Sequence, residues 1–256
     1  MHMCTLALYF QEFDDYPLIV AANRDEYFNR PSDPPEVLNH DPFIFGGKDL
    51  RAGGTWLGSN QYGLLAGILN QRSGTGAEPA SVRSRGLLCL DILVARDTSE
   101  VCHLLGKQAG TEYRPFNLLY VNAEQGFIAY NKGRRILWIE LQRGLHVLSN
   151  TSVYDPRSEK MERAYVLFSQ AKASLERDRG NHRAWVRTLQ AVLGDHTLAV
   201  DSNDRKHSLC VHTPSYGTVS SSMFLYAGNE RRFYIYHAAG PPCQEDFKGP
   251  MLVEVS

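Results

Sequence analysis

"CTLALYFQEFDDYPLIVAANRDE", residues 4–26, reads as a β-hairpin whose pairing sets both the layering of the fold and the neighbours of Cys4. Residues 4–11 form a strand. Asp14-Asp15-Tyr16-Pro17 is turn chemistry, and residues 18–25 return as a strand rich in apolar and β-branched side chains. With the turn centred on Asp14 and Asp15, residue i faces roughly 29 minus i. That register puts Cys4 opposite Asp25 and beside Arg24, about 5 Å away at the backbone, and turn type can slip it by one or two residues. Leu6, Leu8 and Phe10 share one face with Cys4. A Cys at the head of such a strand is either a small hydrophobe or, once N-terminal, a nucleophile whose base is its own amine.

Outward from the hairpin, the stretch from Phe28 to Asp49, with Pro31, Pro34, Pro35 and Pro42, reads as loop. "GGTWLGSNQYGLLAGILN" (53–70) reads as two short strands broken at Asn60-Gln61, and "QRSGTGAEPA" (71–80) as a flexible segment. Helical periodicity runs from Ser84 to Arg96. A second helix, capped by Thr98 or Ser99, turns Val101, Leu104 and Leu105 inward. Phe116–Ser149 reads as a four-strand meander. Helices are expected over 156–177 and 181–194, then strands in "LCVHT", "VSSSMFLYAG", "RRFYIYHA" and "MLVEV". Strands, two helices, strands, two helices, strands: this order fits an α+β fold. Two stacked antiparallel sheets would each carry a helix layer outside, a four-layer αββα sandwich. A doubly wound parallel sheet would need a helix after each strand. No repeat or linker interrupts the chain, so 1–256 reads as one domain.

The 256 residues are enough for a substantial core, and 43% hydrophobic with 21% charged is an ordinary globular composition. A net charge of -1 gives no bulk attraction to nucleic acid or anionic membrane. No apolar run spans a bilayer, and no signal peptide is evident. The five cysteines are widely spaced without a CxxC pair, which fits a reducing, cytoplasmic setting. Cys89 and Cys102 read as inert core thiols. The nine histidines show no HxxxH or HxH spacing, so neither a metal site nor a cofactor is expected. "GGKDLRAGG" (46–54) lacks the GxxxxGK[ST] pattern of a phosphate loop. No GxSxG elbow exists.

The hairpin places "NRDE" (23–26) beside Cys4. A neighbouring Arg24 lowers a thiol's pKa, and Asp25 can orient an amine or thiol. A strand end running into solvent would carry polar residues too, and composition alone favours that plainer reading. "ANRDE" after Met-Cys, with "RAGGTWLG", "GILN" (67–70), "SRG" (84–86), "FNLL" (116–119), "LSN" (148–150) and "YGTVSS" (216–221) further along, resembles the NRDE family, which includes the transport-and-Golgi-organisation type 2 proteins. The resemblance runs from residue 4 to about 221. That family is similar to N-terminal nucleophile hydrolases of the bile-salt-hydrolase and penicillin-V-acylase type, which share the αββα arrangement.

The resemblance implies roles. Cys4 matches the nucleophile, and Arg24 and Asp25 the residues that hold its thiol and amine. Asn70 and Asn150 match the asparagines that stabilise the oxyanion. Asn23, Arg51 and Trp56 fall at the expected substrate pocket. The implied activity is amidohydrolysis of an acyl substrate. The alternative is a non-catalytic binding or trafficking protein on the same scaffold, serving Golgi organisation or secretion and holding haem or an acyl thioester. Val219 stands where the family carries an arginine, and Cys243 lies in a divergent tail with no assigned role. Met1-His2 resembles a cloning remnant, so the natural start is expected at Met3. The quaternary state stays open.

Overall fold

The computed structural model describes residues 4–71, 82–151, 158–198 and 205–256. Thirteen strands among these residues form two antiparallel sheets. The six-stranded sheet contains β1 (Thr5–Phe13), β2 (Tyr16–Tyr27), β10 (Gly144–Leu148), β11 (Tyr216–Ala227), β12 (Arg232–Ala238) and β13 (Lys248–Glu254), in the order β10-β1-β2-β11-β12-β13. The seven-stranded sheet runs in sequence order. It contains β3 (Ser32–His40), β4 (Phe43–Asp49), β5 (Leu57–Asn60), β6 (Leu65–Asn70), β7 (Phe116–Val121), β8 (Gly126–Lys132) and β9 (Arg135–Glu140).

The period-2 pattern of β1 explains the layering. Leu6, Leu8 and Phe10 join the core between the sheets, where they meet Leu57, Leu65 and Leu119 of the other sheet. Ala7 and Tyr9 face the opposite way, onto helices α3 (Glu159–Arg177) and α4 (His182–Leu193). Helices α1 (Arg85–Ile92) and α2 (Thr98–Gly106) cover the outer face of the seven-stranded sheet through Leu88, Ile92, Val101 and Leu105. This is the expected αββα order. Burying each large apolar side chain contributes about 1.5–3 kcal/mol, and three such layers hold the sheets in fixed relation.

Several expectations change. Residues 32–49, read as loop, form β3 and β4. Strand β3 tolerates Pro34 and Pro35 because it is the sheet's edge and its register is broken by bulges. The hairpin register begins with Phe13 opposite Tyr16 and slips by one past a bulge at Gln11, whose φ is +55°, to pair Thr5 with Asn23. Arg24, rather than Asp25, is therefore next in line with Cys4. Strand β10 leaves the expected meander and pairs with β1 in the other sheet. Asp97 caps α2 by accepting from the Glu100 amide, in place of Thr98 or Ser99. "LCVHT" forms no strand, only a bridge between His212 and Gly217. The segment read as flexible lies outside the described residues beyond Gln71, as does the start of the helix expected from 156.

Candidate functional site

Cys4 sits at the open end of β1, half-buried at the edge of the inter-sheet core. The Asp25 amide donates to its Sγ at 3.4 Å, and the thiol reaches the Asp25 carbonyl oxygen at 3.5 Å. The hairpin therefore does bring "NRDE" to the thiol, through backbone atoms.

Alternation along β2 then divides the four side chains. Arg24 points to the Cys4 side, where its guanidinium stacks over Trp56 at 4.5 Å and donates to Ser32 Oγ at 3.1 Å. Asn23 and Asp25 point to the helix layer. Asn23 donates to the carbonyls of Leu193 and Leu209, both at 2.9 Å, and accepts from Ser221. The Asp25 carboxylate is fully buried. It pairs with Lys160 of α3 at 3.0 Å and accepts from Thr218 Oγ1 at 2.6 Å. Asn23 thus holds backbone on the far face of the sheet, away from Cys4.

On the near face a cavity of about 650 Å³ opens against Cys4, Arg24, Arg51, Trp56 and Asn70. Its walls carry six arginines (Arg24, Arg30, Arg51, Arg83, Arg85 and Arg114) against two carboxylates, Glu26 and Asp49. Asp49 organises one wall. Its Oδ1 accepts from the amides of Arg51 and Ala52, and its Oδ2 from Arg30 at 2.6 Å. Glycines make the wall possible. A Cβ on Gly47 would lie 2.3 Å from the Trp56 indole, and one on Gly54 would lie 2.1 Å from the Gly86 backbone at the start of α1. "GGKDLRAGG" therefore makes room for the Trp56 ring and for the start of α1.

Asn150 is buried beside Asn70, and its amide donates to the Asn70 carbonyl. The turn that carries it is held by Asn117, whose amide bridges the carbonyls of Ser149 and Thr151 at 2.9 and 2.7 Å. Cys4, Arg24, Asn70, Arg51 and Trp56 converge on the cavity, with Asn150 behind Asn70. Sequence reasoning missed Lys160, Thr218, Arg30 and Asp49. Lys160 and Thr218 lie far along the chain from Asp25, and although Thr218 stands in "YGTVSS" and Asp49 in "GGKDLRAGG", neither stretch by itself names the partner that the side chain holds.

Electrostatics runs against the simple expectation for the thiol. Burial, with the Asp25 carboxylate close by, pushes Cys4 up to about 12, and Arg24 offsets only part of this. Burial also raises the Asp25 carboxyl, with Lys160 opposing. It lowers the Arg24 guanidinium, which Cys4 and Glu26 help to keep charged.

A second cluster departs from the absence of metal-ligand spacing in the sequence. His196, Cys210, His212 and Cys243 bring one donor atom each within 4.8 Å of one another. Cys210-x-His212 was its only local signal.

A sequence profile of the Transport and Golgi organisation 2 family matches residues 3–238. A Bos taurus "Transport and Golgi organization protein 2 homolog" is 32% identical over 237 residues, covering 82% of this chain and 82% of its own length. Among solved structures, a Caenorhabditis elegans N-acylethanolamine-hydrolyzing acid amidase ortholog aligns with a TM-score of 0.55 at 12% identity, over 87% of this chain and 92% of that one. A mutant conjugated bile acid hydrolase from Clostridium perfringens aligns with a TM-score of 0.52 at 11% identity, over 100% and 98% of the two chains. At such identities the likeness is one of fold, the N-terminal nucleophile hydrolase sandwich. No helix among the described residues is long and apolar enough to cross a membrane.

Proposed function

The chain belongs to the Transport and Golgi organisation 2 family, and from that premise we propose that it hydrolyses an acyl amide bearing an anionic group, with Cys4 as nucleophile. The observation that carries this reading is the position of Cys4 on the wall of a cavity whose other walls are rich in arginine. Arginine forks recognise carboxylates and phosphates bidentately, so the substrate class is anionic.

In the proposed reaction the Cys4 amine, once N-terminal, takes the thiol proton as sulfur attacks the acyl carbon. Asn70 stabilises the resulting oxyanion, and Asn150, whose amide donates to the Asn70 carbonyl, positions it from behind. The C–N bond breaks and the amine leaves with the proton. Water then attacks the thioester, releasing the carboxylate and returning a proton to sulfur. Arg24 and the Asp25 backbone position the thiol. Arg51 and Trp56 line the substrate side. Asn23 supports the far face of β2.

A second reading has its own support. The raised Cys4 thiol and the engagement of the Asp25 carboxylate by Lys160 and Thr218 favour a binding protein that holds an anionic acyl ligand, such as an acyl thioester, with Cys4 as a contact.

One experiment separates the two. A chain beginning at Cys4 is treated with limiting iodoacetamide and, separately, with a panel of N-acyl amino acids, and intact mass is followed. The enzyme reading expects Cys4 to label at least tenfold faster than Cys89, Cys102 and Cys210, together with an acyl adduct that Cys4→Ala abolishes. Labelling of Cys4 no faster than the others, with Cys4→Ala binding ligand as tightly as wild type, leaves the binding reading in its place.

A further inference from the structure

We propose that His196, Cys210, His212 and Cys243 form a tetrahedral zinc site that ties three separate segments together behind the candidate nucleophile. The four residues come from the loop after α4, the approach to β11 and the β12–β13 connection.

The spacing fits an ion. Cys210 and Cys243 sulfurs are 3.6 Å apart, Cys210 Sγ is 3.6 Å from His212 Nε2, and His212 Nε2 is 3.2 Å from Cys243 Sγ. Around a tetrahedral zinc with Zn–S of about 2.3 Å and Zn–N of about 2.05 Å, the ligand edges are about 3.8 Å for S to S and about 3.6 Å for S to N. The His196 and His212 rings lie 5.0 Å apart at their centroids, tilted by 48°, so that both can approach one centre.

The ligand set is also pre-oriented. His196 Nδ1 donates to the Cys210 carbonyl at 3.1 Å, which leaves Nε2 for a metal. The Cys210 amide donates to the Asp195 carbonyl at 2.9 Å, locking the two ligand segments in register. Gln190 of α4 donates to the Pro242 carbonyl at 2.9 Å, and the Cys243 backbone packs on Gly194, so the third segment is held against the same helix end. Two sulfurs and two imidazoles are the donors of structural zinc sites, and four protein ligands leave no open position for catalysis. As the ion binds, each thiol releases its proton to solvent and coordinates as thiolate. Cys210 is buried while Cys243 and His196 are exposed, which gives the ion a path in.

The site adjoins the nucleophile's supports. Val211, between two ligands, donates its amide to Thr218 Oγ1 and accepts from the Thr218 amide, both at 2.9 Å. That same hydroxyl donates to Asp25.

The test uses the full chain, reduced with a phosphine and stripped of metal by chelator. Titration with Co²⁺ is expected to saturate at one equivalent with the visible bands of a tetrahedral thiolate site, and Zn²⁺ is expected to displace it. The exposed-ligand variant Cys243→Ser should weaken Zn²⁺ binding at least tenfold in competition with a chromophoric chelator, and His212→Ala likewise. Cys102→Ser should bind as wild type, and circular dichroism of each variant establishes that it is folded. The proposal is overturned if the reduced wild-type protein takes up no stoichiometric Co²⁺ or Zn²⁺. It is equally overturned if both ligand variants, folded, bind as tightly as wild type. A Cys210–Cys243 disulfide that re-forms in preference to metal binding overturns it as well.

Discussion

Lys160→Met is the sharpest probe of how the fold supports Cys4. Methionine keeps much of the side-chain volume and removes the ammonium that lies 3.0 Å from the Asp25 carboxylate, with both side chains 1% exposed or less. At an effective dielectric of about 20, two unit charges at that distance attract by roughly 5.5 kcal/mol. Breaking a buried pair from one side typically costs about 3–5 kcal/mol, and the retained Thr218 hydrogen bond places the expected loss near 3 kcal/mol. For a chain of this size that is a fall of about 10 °C in Tm.

The loss should depend on pH in a defined direction. The folded Asp25 carboxyl lies above its ordinary 3.8, so the folded state holds this proton more readily than the unfolded one, and the group's contribution weakens as pH rises through that interval. Removing Lys160 raises the folded value further. The gap between wild type and variant should therefore be largest near pH 8 and shrink toward pH 5. Urea unfolding at both pH values measures it. Asp25→Asn combined with Lys160→Met should recover at least half the loss, because no buried charge remains. A gap under about 1 kcal/mol at pH 8, or one that does not change with pH, refutes the reasoning.

The same geometry makes other outcomes testable. Asn70→Ala should lower the turnover of any substrate about 100-fold or more with a smaller change in KM, the pattern of a lost oxyanion donor; steady-state kinetics in which KM alone moves would contradict it. Arg24→Ala removes the guanidinium stacked on Trp56 and should weaken an anionic ligand about tenfold by calorimetry, with a shallower salt dependence. Gly54→Ala drives a methyl into the Gly86 backbone, which cannot step aside, and should cost about 1–3 kcal/mol in chemical denaturation. His237 is buried on Ser222 and lowered to about 4 by burial. The unfolded state therefore binds its proton first, and stability of order 3 kcal/mol should drain away as pH falls from 6.5 toward 4. His237→Gln should flatten that part of the pH–stability curve.

The layered fold was legible because β1 and β2 carry near-continuous apolar runs, as strands buried on both faces do, and the helices carry apolar faces. Leu6, Leu8 and Phe10 face the second sheet as read, with Cys4 on the same side. The local register was not legible, since one bulge at Gln11 moves every later pair by a residue. Nor was β3, whose prolines look like loop until the sheet gives that strand an edge. Within the site, the motif residues Cys4, Arg24, Asn70 and Trp56 line one cavity. The alternation of β2 sends Asn23 and the Asp25 carboxylate to the opposite face, a distinction that a four-letter motif conceals. Lys160, Thr218 and the His196–Cys243 cluster stay hidden in sequence for a common reason: their partners lie across the fold.

The prolines and bulges of β3 have a consequence for how two such molecules meet. Its outer side offers an interrupted row of amides, a poor template for another chain. The opposite border of the same sheet is β9, an uninterrupted strand whose Leu137 and Trp138 are more than a third exposed. The two borders of this sheet therefore differ in kind: β3 is irregular and proline-bearing, whereas β9 keeps a regular register along its length.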